Sequence, residues 1–320
     1  MNRQRAGLLA SDPAVTEPAQ AELAASDSAV AAVIAGYFVA VGLHPGVLLA
    51  PLTLLVAGVG QGGRAFDGRC LQPGRGAKRP RGLLPNAEVP PSGRAALSTS
   101  VAALAVALAY DAELSLAPLL RSGIHAAEKA DASSRASLLS RIAAVGPAAL
   151  TEPSFVQTIL RVASASQGGL LTPADFAPPK TLDQLTVERP LGRAIWLEAP
   201  WASEPSAPDS EHGAGHAIIA IDAQGRFAAL AYRILDTGLF VSELGVTAPF
   251  AAVPVRRGIP RIAPGRRLPC PAPIAFVRQA SSIVSVLAEP RAARLGKSVS
   301  RQRLSLGRDP RSRLVTSGGA

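Results

Sequence analysis

The longest apolar segment of the sequence spans residues 28–63, in which no residue carries a charge. A run of this length is long enough to cross a membrane. However, a proline and a glycine interrupt it within residues 43–46. The interruption favours an alanine-rich helix over residues 27–41 and a buried strand over residues 48–56. The pattern therefore predicts a buried helix and strand, with a membrane span as the alternative.

Further periodic patterns predict the rest of the secondary structure. Small and apolar residues at helical spacing predict stacked helices over residues 96–109, 114–120 and 136–145. Apolar residues on both sides of an Asp/Gly turn predict a β-hairpin over residues 216–232. Thr172 and Pro173 suit the N-cap and the first position of a helix. The glycine-rich segment 58–63 predicts a hairpin turn, because no helix opens after it as a dinucleotide site would require.

Length and composition indicate a folded protein with short loose ends. The chain has 320 residues, of which 48% are hydrophobic and 18% charged, so wholesale disorder is excluded. We expect one main domain over residues 21–286, in which residues 177–215 form a connecting segment. Residues 1–20 are expected to be a flexible leader, and residues 287–320 a basic flexible tail.

The positive charge of the chain raises nucleic acid or an anionic membrane as a partner. Lys and Arg number 33 against 23 Asp and Glu, which gives a formal net charge of +10. Aromatic residues, on which nucleic-acid bases stack, make up only 4% of the chain. We therefore expect no specific nucleic-acid partner and no membrane, and a basic membrane-associated or nucleic-acid-binding protein remains an alternative function.

Cysteines and histidines provide little sign of metal or redox chemistry. Cys70 and Cys270 lie far apart in the sequence and outside any metal-binding spacing, so they are predicted to be free thiols. His212 and His216 are four residues apart, but the glycines between them disfavour the helix that would bring them to one metal. No metal and no cofactor are expected. The apolar stretch after the N-terminus is too short for a signal peptide, so a cytoplasmic location is expected.

A set of segments resembles one known family when the segments are taken in chain order. They are residues 25–32, 65–73, 98–120, 168–175, 216–232 and 265–273. Together they resemble the gamma-glutamyltransferases, which are N-terminal-nucleophile hydrolases. The most specific match is Gly-Gly-Leu-Leu-Thr-Pro-Ala-Asp at residues 168–175, which resembles the family's Gly-Gly-x-Leu-Thr-x-x-Asp. The resemblance implies an α/β fold, a four-layer α/β/β/α sandwich, in a trimmed form because a long helical stretch of the family is missing.

The resemblance also implies a substrate-binding residue. Arg69, within Ala-Phe-Asp-Gly-Arg-Cys-Leu-Gln-Pro at residues 65–73, matches the arginine that grips the alpha-carboxylate of the glutamyl group. A guanidinium pairs with a carboxylate through two parallel hydrogen bonds. The implied partner is a gamma-glutamyl compound or another small carboxylate. A structural arginine beside a turn is the alternative interpretation of Arg69.

The family's nucleophile is a threonine two residues before a histidine, and it is freed by self-cleavage. If His216 is the matching histidine, Ala214 occupies the position of the nucleophile and supplies no oxygen. If His212 is the match instead, Ser210 takes that position and becomes the candidate catalytic residue.

Other substrate contacts of the family are replaced in this sequence. Arg-Gln-Ala-Ser at residues 278–281 stands where the family has its oxyanion glycines, Pro-Cys at 269–270 replaces a serine pair, and Ala-Pro at 248–249 replaces an acidic pair. Of the substrate contacts named here, Arg69 alone is retained. These losses favour a degenerate gamma-glutamyltransferase-like protein without the family's catalytic activity. The alternative is an active gamma-glutamyl hydrolase or transferase that is self-cleaved before Ser210.

Overall fold

Helices dominate the first half of the chain, and strands dominate the second. The computed structural model describes residues 5–58, 61–77, 84, 87–110, 114–177, 179–192, 194–202, 204, 213–258, 260–279, 282–288, 303–309 and 312–319. Within them the helices are α1 Pro13–Ser26, α2 Ala29–Leu43, α3 Pro91–Arg94, α4 Ser100–Tyr110, α5 Leu116–Leu119, α6 Arg121–Lys129, α7 Ser133–Val145 and α8 Pro153–Ala163. Short 3₁₀ helices lie at Gly146–Thr151, Ala165–Gln167 and Pro173–Phe176.

Strands from both ends of the chain build two main sheets. The strands are β1 Gly7–Ala10, β2 Leu52–Gly58, β3 Gln61–Gly68, β4 Cys70–Leu71, β5 Leu97–Ser98, β6 Asp183–Leu185, β7 Val187–Leu191, β8 Ala194–Glu198, β9 Ala214–Ile221, β10 Arg226–Ile234, β11 Leu239–Val241, β12 Val246–Ala248, β13 Ile274–Gln279, β14 Ser282–Ala288, β15 Leu304–Arg308 and β16 Val315–Gly319. The first sheet has the order β1-β9-β10-β2-β3-β6 and the second the order β16-β15-β14-β13-β8-β7. All neighbouring strands in both sheets run antiparallel.

The first sheet is buried on both faces, and its sequence shows why. Successive side chains of a strand point to opposite faces. In β9, Ile219 and Ile221 belong to the core between the two sheets, whereas Ile218 and Ala220 belong to the core under the helices. Both sets are apolar, so β9 is apolar without interruption and is covered on each side.

The two cores define the layers of the molecule. Phe227 of β10 meets Phe276 of β13 edge to face between the sheets, with ring centroids 6.1 Å apart. On the other face of the first sheet, α2 contacts both β9 and β10 and is buried along almost its whole length. The described helices form their main contacts with the first sheet and with one another. The predicted α/β sandwich is confirmed. Of the four layers that the resemblance implies, the described residues supply one helical layer and the two sheet layers.

The long uncharged segment forms a buried helix and strand, as predicted. The Ser28 side chain accepts a hydrogen bond from the Ala31 amide at 3.1 Å and caps α2, which ends at Leu43. A turn region follows before β2 begins at Leu52. In the part of the chain that the structure describes, no helix combines the length and the apolar character needed to cross a bilayer.

The predicted β-hairpin and the predicted helix start at Thr172 and Pro173 are also confirmed. β9 and β10 form the predicted hairpin, with Phe227 opposite Ile221. Thr172 caps the 3₁₀ helix that starts at Pro173, and its amide donates to Asp175 Oδ2 at 2.8 Å. The other helices begin or end at different residues from those predicted: α4 starts at Ser100, and α5 is a single turn.

The predicted flexible ends require correction. Residues 1–20, expected to be a leader, include β1 and most of α1, and Leu8 of β1 pairs with Ala220 and is 5% exposed. Residues 287–320, expected to be a tail, include β15 and β16 of the second sheet, and Leu306 of β15 is buried in the core between the two sheets. The connecting segment 177–215 includes β6, β7 and β8. β7 and β8 pair with each other as neighbours in sequence. β1 and β6 are short and pair with strands far away in sequence, so local periodicity does not reveal them.

Candidate functional site

Arg69 connects β3 to β4, and its side chain is held by a buried carboxylate. The Asp67 carboxylate accepts hydrogen bonds from Arg69 Nε at 3.0 Å, from Nη2 at 2.9 Å and from the Arg69 backbone amide at 3.0 Å. Asp67 and Arg69 are only 2% and 5% exposed. Since charge-assisted pairs of this two-pronged kind are strong and directional, Asp67 fixes the orientation of the guanidinium.

The remaining edge of the guanidinium meets a second carboxylate. Arg69 Nη1 donates to Glu204 Oε2 at 2.6 Å, and the Glu204 side chain is 43% exposed. Trp201 lies against the guanidinium, with its ring centroid 4.6 Å from the guanidinium carbon. The Trp201 indole in turn donates to Thr53 Oγ1 at 3.0 Å. Arg69 is therefore buried except where it meets the solvent-exposed Glu204.

A second arginine completes the cluster. Arg267 Nε lies 3.3 Å from Asp67 Oδ2, and Arg267 Nη1 donates to the Arg69 carbonyl at 3.2 Å and to the Thr99 hydroxyl. The formal charges of the two arginines are balanced by those of Asp67 and Glu204. Without the Glu204 carboxylate the cluster would carry one positive charge, so this position requires an anion.

The strand register places Arg69 on the side of the first sheet where β9 begins and β3 ends. One row of paired residues crosses the sheet and consists of His216, Tyr232, Leu52 and Gly68. Three strand spacings of about 4.8 Å separate the ends of this row, a distance of about 14 Å. Arg69 and the residues around His216 are far apart in sequence. The fold therefore brings them to the same side of the first sheet, at the ends of its strands.

The start of β9 carries no nucleophile. Ala214 is the first residue of β9 and pairs with Ile234. Its methyl group supplies neither an oxygen nor a proton. The alternative candidate, Ser210, lies outside the described residues, as does His212.

His216 is half-buried and packs against Tyr232 and Ser11. Its ring stacks on Tyr232 with centroids 5.5 Å apart, and Nδ1 lies 3.4 Å from the Ser11 hydroxyl. The Ser11 oxygen also accepts from the Ala217 amide at 2.9 Å. Partial burial lowers the pKa of His216 below the usual value of a histidine, which favours the neutral imidazole. His216 thus links β9 to the chain between β1 and α1.

The two cysteines are inert in this environment. Cys70 and Cys270 are both buried and free. Burial raises the pKa of each thiol above its usual value. The reactive species of cysteine is the thiolate, so neither residue is an activated nucleophile near neutral pH. A small cavity of about 20 Å³ separates Cys270 from His216 and Tyr232.

Two further positions implied by the resemblance, Ala248 and Arg278, lie in strands. Ala248 is buried at the end of β12. Arg278 lies on β13 of the second sheet and donates to Glu188 at 2.7 Å. Residues 280 and 281 are outside the described residues. Among the described residues no group of three or more histidine, cysteine or acidic side chains forms a metal site, and His216 lies on a strand rather than a helix.

Sequence reasoning identified Arg69 but missed the groups that hold it. Asp67 and Arg267 both fall within segments that resemble the family, yet nothing in their spacing shows that they share one cluster. Glu204 lies in the segment interpreted as a connection. Its contact with Arg69 joins residues 135 positions apart, which no local signal reports.

No family model matches the sequence, and neither does any curated protein. Solved structures do match it. Two structures of LmbA2991 align with the whole chain with TM-scores of 0.77 and 0.76, at 13% and 12% identity, and 97% of each of those chains is covered. Cephalosporin acylase from Bacillus halodurans gives a TM-score of 0.75 at 12% identity, over 100% of this chain and 94% of that one. The chain has the fold of the N-terminal-nucleophile hydrolases.

The N-terminal-nucleophile-hydrolase fold also accounts for the resemblance to gamma-glutamyltransferases. Gamma-glutamyltranspeptidase from Helicobacter pylori aligns with 63% of this chain and 72% of its own, with a TM-score of 0.50 and 17% identity. At such low identities the shared property is the fold. The expected resemblance is confirmed at that level, in a divergent and shortened form.

Proposed function

We propose that this protein is a non-catalytic relative of the gamma-glutamyltransferases that binds a small carboxylate at Arg69. The observation that carries the proposal is the contact between Arg69 Nη1 and Glu204 Oε2. A buried guanidinium, which Asp67 holds through Nε and Nη2, contacts through Nη1 a carboxylate whose side chain is 43% exposed. This is the geometry of a carboxylate site, occupied here by a side chain of the same chain.

The charges of the cluster favour a carboxylate ligand over other groups. Arg69 and Arg267 exceed Asp67 by one positive charge, and a monoanion in the place of Glu204 restores neutrality. The ring of Trp201 covers the guanidinium and gives one side of the position an apolar wall. A gamma-glutamyl compound, which carries an alpha-carboxylate on an aliphatic stem, has this combination of groups.

We propose that the protein is not catalytic because the side chains near the start of β9 supply no activated nucleophile. Ala214 provides no nucleophile at the start of β9. Burial leaves Cys270 protonated, and partial burial favours the neutral imidazole of His216, with the Ser11 hydroxyl beside Nδ1. An N-terminal nucleophile needs both an attacking oxygen and a freed amine at a cleavable bond.

Binding is tested by calorimetric titration of the intact protein with glutathione and with glutamate. We expect Glu204→Gln to bind them more tightly than the natural chain, because the neutral amide competes less well for Arg69 Nη1. Arg69→Met should remove binding. Glu243→Gln, which changes an exposed carboxylate paired with Arg161 at 2.8 Å, is the matched control and should leave affinity unchanged. Equal affinities in the natural chain and the Arg69→Met variant would refute the carboxylate site.

Catalysis is tested by the intact mass of the purified protein and by hydrolysis of a gamma-glutamyl anilide. We expect one species of 32.7 kDa and no hydrolysis above a boiled control. Two fragments produced by cleavage before Ser210, together with a hydrolase activity that Ser210→Ala abolishes, would instead establish the active hydrolase.

A further inference from the structure

A second cavity lies on the helical side of the first sheet, and it borders the guanidinium cluster at Thr99, which accepts a hydrogen bond from Arg267. It has a volume of about 300 Å³ and is enclosed by the start of α4, the 3₁₀ helix Gly146–Thr151, α8 and the 3₁₀ helix Pro173–Phe176. Pockets that bind small molecules start at about this volume. The charged residues of that cluster are not among the residues that line the cavity.

The inner wall of the cavity is apolar and well fixed. Leu49, Leu71, Phe155 and Phe176 line it, and each is at most 9% exposed. The rings of Phe155 and Phe176 meet edge to face with centroids 6.2 Å apart, which holds both against rotation. A ligand therefore meets a preformed aromatic and aliphatic surface.

The polar groups in the wall already have partners within the protein. Asp175 is the one charged lining residue, and its carboxylate accepts amide hydrogens from Gly74 at 2.9 Å, Arg75 at 3.0 Å and Thr172 at 2.8 Å. The Thr99 hydroxyl donates to the Asp67 carbonyl at 2.9 Å. An anionic ligand would find no opposite charge in this lining, and any charged ligand would lose its hydration.

The mouth of the cavity is formed by small residues that reach solvent. Ala148 and Thr151 on one side and Ala177 on the other line the cavity and are exposed. No bulky side chain of these three residues closes the entrance. A small molecule can therefore enter between the two 3₁₀ helices.

We propose that this cavity binds a small uncharged apolar molecule of one or two rings. An apolar cavity of about 150 Å³ lined by Leu, Ile and Phe is known to take up benzene. The cavity described here is about twice that size, opens to solvent, and has leucine and phenylalanine side chains on its inner wall. The proposal is independent of Arg69 and of the function proposed above.

The test is fluorescence titration of the full-length protein with N-phenyl-1-naphthylamine, an uncharged two-ring probe that brightens in apolar surroundings. Ala148→Trp should block the mouth, and Ala102→Phe should fill the cavity from α4. We expect each to weaken binding by about tenfold or more. The matched controls are Ala144→Trp on α7 and Ala109→Phe on α4, which are exposed and outside the lining, and they should leave affinity unchanged.

A sulfonated analogue, 1-anilinonaphthalene-8-sulfonate, tests the exclusion of charge. Ala148→Trp should not change its binding, because a sulfonate does not enter the cavity. Melting temperatures show whether each variant is folded. If Ala102→Phe does not fold, the exposed Ala148→Trp still decides the result. Failure of the uncharged probe to bind the natural chain, or equal affinity in Ala148→Trp, would overturn the proposal.

Discussion

At the scale of single residues, the cluster around Arg69 combines a structural role with a binding role. Removal of one partner from a buried ion pair leaves an uncompensated charge, which costs more than the pair itself contributes. Asp67 holds both Arg69 and Arg267, so it anchors the cluster. Glu204, half exposed, is the member that can be exchanged for a ligand.

The Arg69→Met variant should lower the free energy of unfolding by about 3 kcal/mol, because Asp67 then keeps only Arg267 as a charged partner. Chemical denaturation measures this change. Arg161→Met, which breaks the exposed pair with Glu243, is the control and should cost less than about 1 kcal/mol. Similar losses in the two variants would show that the buried cluster stabilises the fold no more than an exposed ion pair does.

His216 should make stability dependent on pH. Burial lowers its pKa in the folded state, so the unfolded chain takes up a proton first as the pH falls. Stability is therefore fully present above the ordinary histidine pKa of about 6.5 and is lost as the pH falls through the lowered folded value. Asp12, His44, Arg233 and Asp236 are the neighbouring charges.

The His216→Phe variant keeps an aromatic ring beside Tyr232 and removes the titration. Its free energy of unfolding should fall less steeply below about pH 6.5 than that of the natural chain. Urea unfolding at a series of pH values measures both slopes. Identical slopes would assign the pH dependence to other groups.

The contrast between Arg69 and Glu204 shows what the sequence reveals about a site. Arg69 could be singled out because a family pattern surrounds it. Glu204 could not be singled out, because its role arises from its contact with Arg69, which lies between β3 and β4 and is distant in sequence. A site built by tertiary contacts is predictable only in the part that lies within one segment.

At the scale of elements, small residues determine how closely the helices pack. A Cβ added at Gly123 of α6 would collide with the Phe38 carbonyl of α2, and one added at Gly42 of α2 would collide with the Gly123 carbonyl. The two helices therefore approach each other backbone to backbone at these glycines.

Gly123→Ala should lower the free energy of unfolding by about 2 kcal/mol, the range of an overpacked core. On helix propensity alone the same change would stabilise α6 by up to about 1 kcal/mol. The sign of the change therefore decides whether the contact or the propensity dominates. Ser122→Ala, at the exposed neighbouring position, should be neutral or slightly stabilising in thermal unfolding.

Elements with a strong local pattern were predictable, and those that depend on distant partners were not. α2 and the β9–β10 hairpin follow from an uninterrupted apolar run and a turn between two apolar segments. β1 is four residues long and is specified by its pairing with β9, more than 200 positions away. Local periodicity contains no information on such a pairing.

At the scale of the whole molecule, the two parts of the chain on either side of residues 205–212 interlock in both sheets. In the first sheet β9 pairs with β1 over four residues, and β10 pairs with β2 over seven. In the second sheet β13 pairs with β8. Neither part contains a complete sheet, so each depends on the other for the burial of its apolar strands.

A chain cut between β8 and β9 should therefore remain one particle. Replacement of residues 205–208 by the recognition sequence of a site-specific protease allows the cut to be made after folding. We expect the cut protein to elute in gel filtration at the volume of the uncut protein and to separate into two fragments only in denaturant. The paired strands and the shared core between the sheets hold the fragments together. Two separate native peaks would contradict the interlocked topology, and they would also show that a fold of this kind could not survive self-cleavage at this position.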